Sequence, residues 1–267
     1  MIANPEIYVL GKGFVNAAEL TVGDQVYTLD QHAVVVDQID SVCQEYVSAR
    51  LNRIDSGNHN AIVTNDTRFL YYSDLNGYKY ISFDQIDSHT RDKAYREDKY
   101  LPILSWRDNS PRQFTDNELE SIARSVAVHV YDYHTFDNVV QNMGGNDCTV
   151  LVDLLEFWCS VTPGAGWFGR AQVKTRNHPI KSRHFTDELA IVAVRAGYTA
   201  AIGMFDENTY SLRVNYEPMP IPGSRPKNEK YRKEYFTGYV YNISAGNKPI
   251  LGRSLNRIFY LPTSTIL

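Results

Sequence analysis

The side chains able to carry chemistry in this chain are histidines, cysteines and acids, and their spacing decides what they could do together. His129, His134, His178 and His184 never combine with an Asp or Glu at a recognised metal-ligand spacing, so each reads as a satisfied or solvent-facing imidazole. Cys43, Cys148 and Cys159 are odd in number and far apart, a pattern of neither a disulfide framework nor a zinc site. A reducing compartment follows, and neither a metal nor a cofactor is expected. Gly144-Gly145 and Gly164-Ala-Gly166 lack the preceding strand, the following helix and the lysine of a phosphate loop, so they read as turns. Between 218 and 233, Pro218, Pro220, Pro222 and Pro226 are interleaved with Arg225, Lys227, Lys230, Arg232 and Lys233. This segment reads as a solvated surface loop, with nucleic-acid contact as the alternative.

The elements that must position these residues come from patterning. The chain has 267 residues, 43% hydrophobic and 22% charged, with a net charge of −4. That is a globular composition without a global attraction to nucleic acid or acidic membrane. No apolar run approaches the length of a membrane span and no basic start precedes an apolar core, so neither an anchor nor a signal peptide is expected. The chain opens on its own Met1, with synthesis expected in a cytoplasm.

Val9 and Leu10 end a short apolar run, Gly11 to Gly13 give a turn, and Val26, Thr28 and Asp30 alternate with Tyr27 and Leu29, which predicts strand, tight turn, strand. Alternation continues through Val34, Val36, Ile39, Val42, Tyr46 and Val47, and a hairpin is expected around Asp74-Leu-Asn-Gly-Tyr78. In the middle third the period changes. Thr115-Asp-Asn-Glu-Leu119 caps a helical run through Leu119, Ile122, Ala123, Val126, Ala127 and Val130. Further helices are expected over 149–161 and over 186–196, the latter capped by Thr186 and closed by Gly197, with strands at 170–175, 200–204 and 209–215. Strands return at 236–244, 250–253 and 257–260. Nineteen tyrosines follow the ordinary preference of β-sheets, or form a contact surface for another protein.

Two stretches carry a family resemblance. The block running into Glu19-Leu-Thr-Val-Gly-Asp24 resembles the opening of Hint domains, the fold of inteins and hedgehog autoprocessing domains, and Thr64-Asn65-Asp66-Thr67 before Phe69-Leu70 resembles the family's Thr-x-x-His tetrad. The closing strands resemble its last blocks. The resemblance to a phage-type intein implies a mainly β, horseshoe-like Hint-type fold interrupted by an α/β insert, α+β overall. Its parts would be residues 1–105, an insert at 106–204 similar to LAGLIDADG homing endonucleases, and a closing part at 205–267. The stretch Ile122-Ala-Arg-Ser-Val-Ala-Val-His-Val-Tyr-Asp-Tyr133 resembles the first signature helix, with Asp132 on its acidic position, and 151–164 resembles the second.

Splicing needs a starting nucleophile, a histidine that protonates the leaving nitrogen and a terminal asparagine. By the resemblance these positions hold Met1, Thr67 and Thr263, with Ser264 at the downstream nucleophile position. The insert's second acid is replaced by Thr162 or Pro163, leaving Asp132 alone for a two-metal reaction. The resemblance therefore implies no splicing and no nuclease activity: an inactive intein-like protein reused as a structural or protein-binding component of a bacteriophage virion, in the tail, baseplate or neck. It would be made in the host cytoplasm and carried into the particle, with virion or assembly proteins as partners, no membrane and no small-molecule substrate. The alternatives are a DNA-binding relic working through the basic segment, or a residual metal-dependent nuclease using Asp132.

Overall fold

The computed structural model describes residues 1–30, 33–55, 60–73, 77–83, 101–102, 106–128, 133–161, 182–206, 209–215 and 230–264. Strand residues outnumber helical ones, and the chain divides into two compact units, Met1–Leu104 with Met219–Leu267, and Ser105–Pro218. No helix among the described residues is long and apolar enough to cross a membrane.

Apart from a short 3-10 turn at Ala17–Glu19, the regular structure described in the first unit is antiparallel β. Strands β1 (Ile2–Ala3), β2 (Glu6–Val9), β3 (Gly13–Asn16), β4 (Gln25–Asp30), β5 (Ala33–Gln38), β6 (Ser41–Asp55), β7 (Asn60–Val63), β8 (Thr67–Ser73), β9 (Gly77–Ser82) and β10 (Leu101–Pro102) come from the first part of the chain. The last part adds β13 (Lys230–Ser244), β14 (Ile250–Ser254), β15 (Arg257–Leu261) and β16 (Thr263–Ser264). β13 and β6 pair over their full length, from Ser244 opposite Ser41 to Lys230 opposite Asp55, and with β1 and β7 they curl into a closed barrel.

A second sheet runs β15, β14, β2, β4, β5, with β3 on β2. It joins the two ends of the chain: Gly252 lies opposite Ile7, Arg253 opposite Glu6 and Ile250 opposite Thr28. Side chains reinforce this register. The Arg253 guanidinium forks onto Glu6, Nε to Oε2 and Nη2 to Oε1 both at 2.6 Å, and stacks 4.5 Å from the Phe14 ring. Alternate residues of these strands supply a common core that includes Ile7, Val26, Ile54, Phe69, Ile250 and Phe259.

The turn between Leu20 and β4 is fixed by Gly23 and Asp24. Gly23 takes φ +96°, a conformation open to glycine, and its N–H reaches Ile39 O at 2.8 Å. The Asp24 carboxylate closes the turn by accepting from Thr21 N at 3.0 Å and Lys12 Nζ at 2.6 Å. Burial pushes Asp24 up, but these bonds outweigh it and hold its carboxyl below the usual range. Asp37, bonded by Thr28 Oγ1 and Lys248 Nζ, and Asp40, bonded by Gly246 N, are lowered in the same way. With folded values below unfolded ones, their stabilisation is present above about pH 4 and lost as pH falls through the folded values. Hydrogen exchange of β4 and β5 is expected to be unchanged from pH 7 to 5 and to accelerate at pH 3, after correction for intrinsic exchange. An Asp24→Asn, Asp37→Asn, Asp40→Asn triple variant should lose most of that difference.

The second unit holds four described helices, α1 (Asp116–Ala127), α2 (Tyr133–Asn142), α3 (Gly145–Val161) and α4 (Arg183–Arg195), and the hairpin β11 (Thr199–Asp206) with β12 (Thr209–Asn215). α1 packs on α3, α4 on α2 and α3, and α4 also on both strands. The expected capping box is present: Thr115 Oγ1 accepts from Glu118 N, and the Glu118 carboxylate accepts from Thr115 N at 2.7 Å.

Several boundaries differ from expectation. Because β11 and β12 pack on α4, the second unit runs to Pro218 instead of ending at 204. α4 starts at Arg183, capped by Ser182, whereas Thr186 is wholly buried within the helix and donates to Ser182 O at 2.7 Å. α3 begins at Gly145, four residues ahead of the expected 149, and α2 was not expected at all. The segment expected as a loop to Lys233 becomes strand at Lys230, where Arg232 and Lys233 pair with Arg53 and Asn52. The strand at 170–175 and the turn at 74–76 lie outside the described residues.

The start of α3 is built on a buried network. Asp147, fully buried in its first turn, accepts from Gln113 N at 2.7 Å, Gly144 N at 3.0 Å, Phe114 N at 3.4 Å and Arg112 Nε at 3.3 Å. Deeper in, Arg195 spends its donors on Asp108 Oδ2 (2.8 and 3.0 Å), Val140 O (3.1 Å) and Met143 O (2.7 Å), tying α4 to the segment before α1 and to the end of α2. Gly144 and Gly145 are therefore more than a turn. The chain from Asp108 to Pro111 crosses so close that a side chain at either would strike its backbone.

Candidate functional site

The tetrad occupies the turn between β7 and β8, closed by Thr67 N to Thr64 O at 3.2 Å. β1 pairs Ile2 with Val63, which leaves Met1 directly over this turn. Both polar backbone groups of Met1 are then taken up by the two threonines. Met1 N donates to Thr64 Oγ1 at 2.6 Å and Thr67 Oγ1 at 2.9 Å; Met1 O accepts from Thr64 N at 3.0 Å and Thr67 Oγ1 at 2.9 Å. Thr67 is fully buried, and its hydroxyl lies 3.1 Å from that of Thr64. Asn52 Nδ2 holds the turn from β6 by donating to Asn65 Oδ1 at 2.5 Å.

Burial draws the Met1 amine down from 8.0 to about 6, against the charges of Asp66 and Glu45. From the other side, β16 lays the backbone of Ser264 opposite Thr67 and of Thr263 opposite Arg68. Met1, the tetrad and the closing strand thus meet at one place. The chemistry open to Thr64 and Thr67 is hydrogen bonding, since a threonine hydroxyl does not act as a general acid near neutral pH.

Asp132 and Pro163 lie outside the described residues, as do Arg225, Lys227, His129, His178 and Gly164 to Gly166. α1 ends at Ala127, where the Val128 N–H caps onto Arg124 O. Of the basic segment, Lys230 opens β13, while Arg232 and Lys233 are exposed on it and Arg232 Nη2 sits 3.4 Å from Glu234. Cys148 and Cys159 are buried and Cys43 is exposed, and burial pushes the Cys148 thiol up to about 11, which makes it inert at neutral pH.

One grouping was missed. His184 on α4 bonds through Nε2 to Asp137 Oδ2 on α2, and Glu188 stands one turn along α4 from the imidazole. The reading that His184 has no acid at ligand spacing is corrected: His184 and Glu188 are four apart on one helix, and the third member arrives from a helix the periodicity did not reveal. The four-residue spacing was the available signal.

No protein-family model matches the chain, and no curated protein does. The fold and the site therefore carry the functional argument.

Proposed function

We propose that the first unit is a Hint-type frame emptied of its splicing chemistry, and that the chain works as an inactive structural or protein-binding component, in a bacteriophage virion. The observation that carries this reading is the meeting of Met1, Thr64 to Thr67 and Thr263–Ser264. A Hint fold brings its first residue, its tetrad and its terminal strand together in this way, and here the three positions offer a methionine and threonines in place of nucleophile, histidine and asparagine. The virion rests on the resemblance to phage-type inteins.

A surface suited to packing against another protein lies on the β6–β13 ribbon. Tyr46 and Tyr239 face each other edge to face at 5.3 Å, and Tyr235 OH bonds Ser48 Oγ at 2.7 Å; all three rings are exposed. Intact mass after prolonged incubation with thiol should equal that of the encoded chain. Purified particles should contain the chain in a fixed ratio to their other proteins. A self-cleaved product would overturn the loss of chemistry, and detection only in infected-cell lysate would overturn the virion role.

A further inference from the structure

We propose that Asp137, His184 and Glu188 form a binding site for a first-row divalent cation, with Zn2+ its best occupant. Their candidate ligand atoms, one imidazole nitrogen and two carboxylate oxygens, all lie within 4.8 Å of one another. His184 Nε2 and Asp137 Oδ2 already touch through a hydrogen bond. A tetrahedral zinc ion, which sets its ligand atoms about 3.4 Å apart, would replace that bond by parting the pair around the ion, a movement within reach of side-chain rotation. One nitrogen with two carboxylates is a donor set that suits zinc and its first-row neighbours.

The site also has the rigidity a metal centre needs. His184 and Glu188 project from one face of α4, whose apolar residues from Leu189 to Val194 are all buried, and Asp137 follows Phe136, which packs edge to face on Phe185 at 4.9 Å. The two helices cannot drift apart without opening that aromatic contact. Glu188 is 1% exposed and His184 is about half exposed, so the cluster has a buried floor and an open mouth through which an ion can enter.

A second observation points the same way. Asp137 Oδ1 is buried without a hydrogen-bond partner, an expensive state for a carboxylate oxygen and one that a cation relieves. The surrounding charge is favourable: Asp187 adds a third acid beside the imidazole, and the nearby cation Arg183 is engaged with it at 3.0 Å. Three protein ligands leave a coordination position for water or for another molecule. This inference stands apart from the function proposed above.

The test is calorimetric titration of the full chain with Zn2+, repeated with Co2+ while following its visible d–d absorption. A single site is expected, with metal raising the unfolding temperature of the helical unit. Asp137→Asn and His184→Gln, both near the surface, should each weaken binding more than about ten-fold, while Cys43→Ser, which removes the exposed thiol, should leave it unchanged. Three results would overturn the proposal: no binding by the native chain, binding that survives both ligand substitutions, or a stability loss in His184→Gln with no metal effect in the native chain, which would make the cluster an ion pair only.

Discussion

Arg195→Ala should destabilise the helical unit by about 3–5 kcal/mol, the range seen when one partner of a buried ion pair is removed. Both partners are about 4% exposed, so the Asp108 carboxylate would be stranded in the interior with Ser110 N, at 2.9 Å, as its remaining donor among the described residues. Met143 O would lose its Arg195 donor, and Val140 O would keep only the longer bond from Met143 N at 3.3 Å among those described. The loss is one of desolvation, which gives a second expectation. Replacing both charges together, as Arg195→Met with Asp108→Leu, should cost clearly less than the sum of the two single changes. Trp106, Trp158 and Trp167 all belong to this unit, so tryptophan fluorescence in denaturant follows it without contribution from the β unit. A cost below about 1 kcal/mol for Arg195→Ala would mean that the pair is solvated in solution.

Gly145→Ala should be comparably damaging for a steric reason. A Cβ there would lie 1.9 Å from Asp108 O and 2.4 Å from its carbonyl carbon, and one at Gly144 would lie 1.8 Å from Pro111 O. Backbone cannot rotate aside as a side chain can, so relief requires moving the 108–111 segment away from α3. That shift would break Gly145 N to Ser110 Oγ (2.7 Å) and Asn146 N to Ser110 O (3.2 Å) and disturb Asp108 against Arg195. Overpacking of about 3 kcal/mol is expected, at the upper end for added methyl groups. The same fluorescence titration measures it. Serine at 145 should be no better than alanine, since the clash is set by the Cβ itself.

What could be read in advance was local. The Thr115 to Glu118 capping box and the strand at Val26 to Asp30 depend on neighbours within a few residues, and each formed where expected, although Val26, Tyr27, Thr28 and Leu29 are all buried instead of alternating. Features that depend on distant partners were harder. α2 offers Phe136, Val139 and Val140 as its apolar face, too short a run for its period to stand out. Asp147 and Arg195 look like ordinary surface charges until the packing of α3 and α4 encloses them. The pairing of β14 with β2 and β4 was anticipated only through the family resemblance, because alternation states that a strand exists and not which strand it joins. The Asp137, His184 and Glu188 cluster was missed because its members reside on two helices.

The full-length pairing of β6 with β13 also dictates an order of assembly during synthesis. β6 leaves the ribosome with its partner unmade, and at ordinary elongation rates the stretch from Asp55 to Lys230 takes about 10–35 s to produce. During that interval the helical unit, continuous in sequence, can complete itself, whereas the β unit must hold a fifteen-residue strand with open edges. The exposed Arg50 and Glu45 on β6 act as guards over this wait, since charge on an unpaired edge discourages pairing between nascent chains. β13 is thus the strand that closes the barrel, and β1, already beside β7, gains its second neighbour only once β13 has been made.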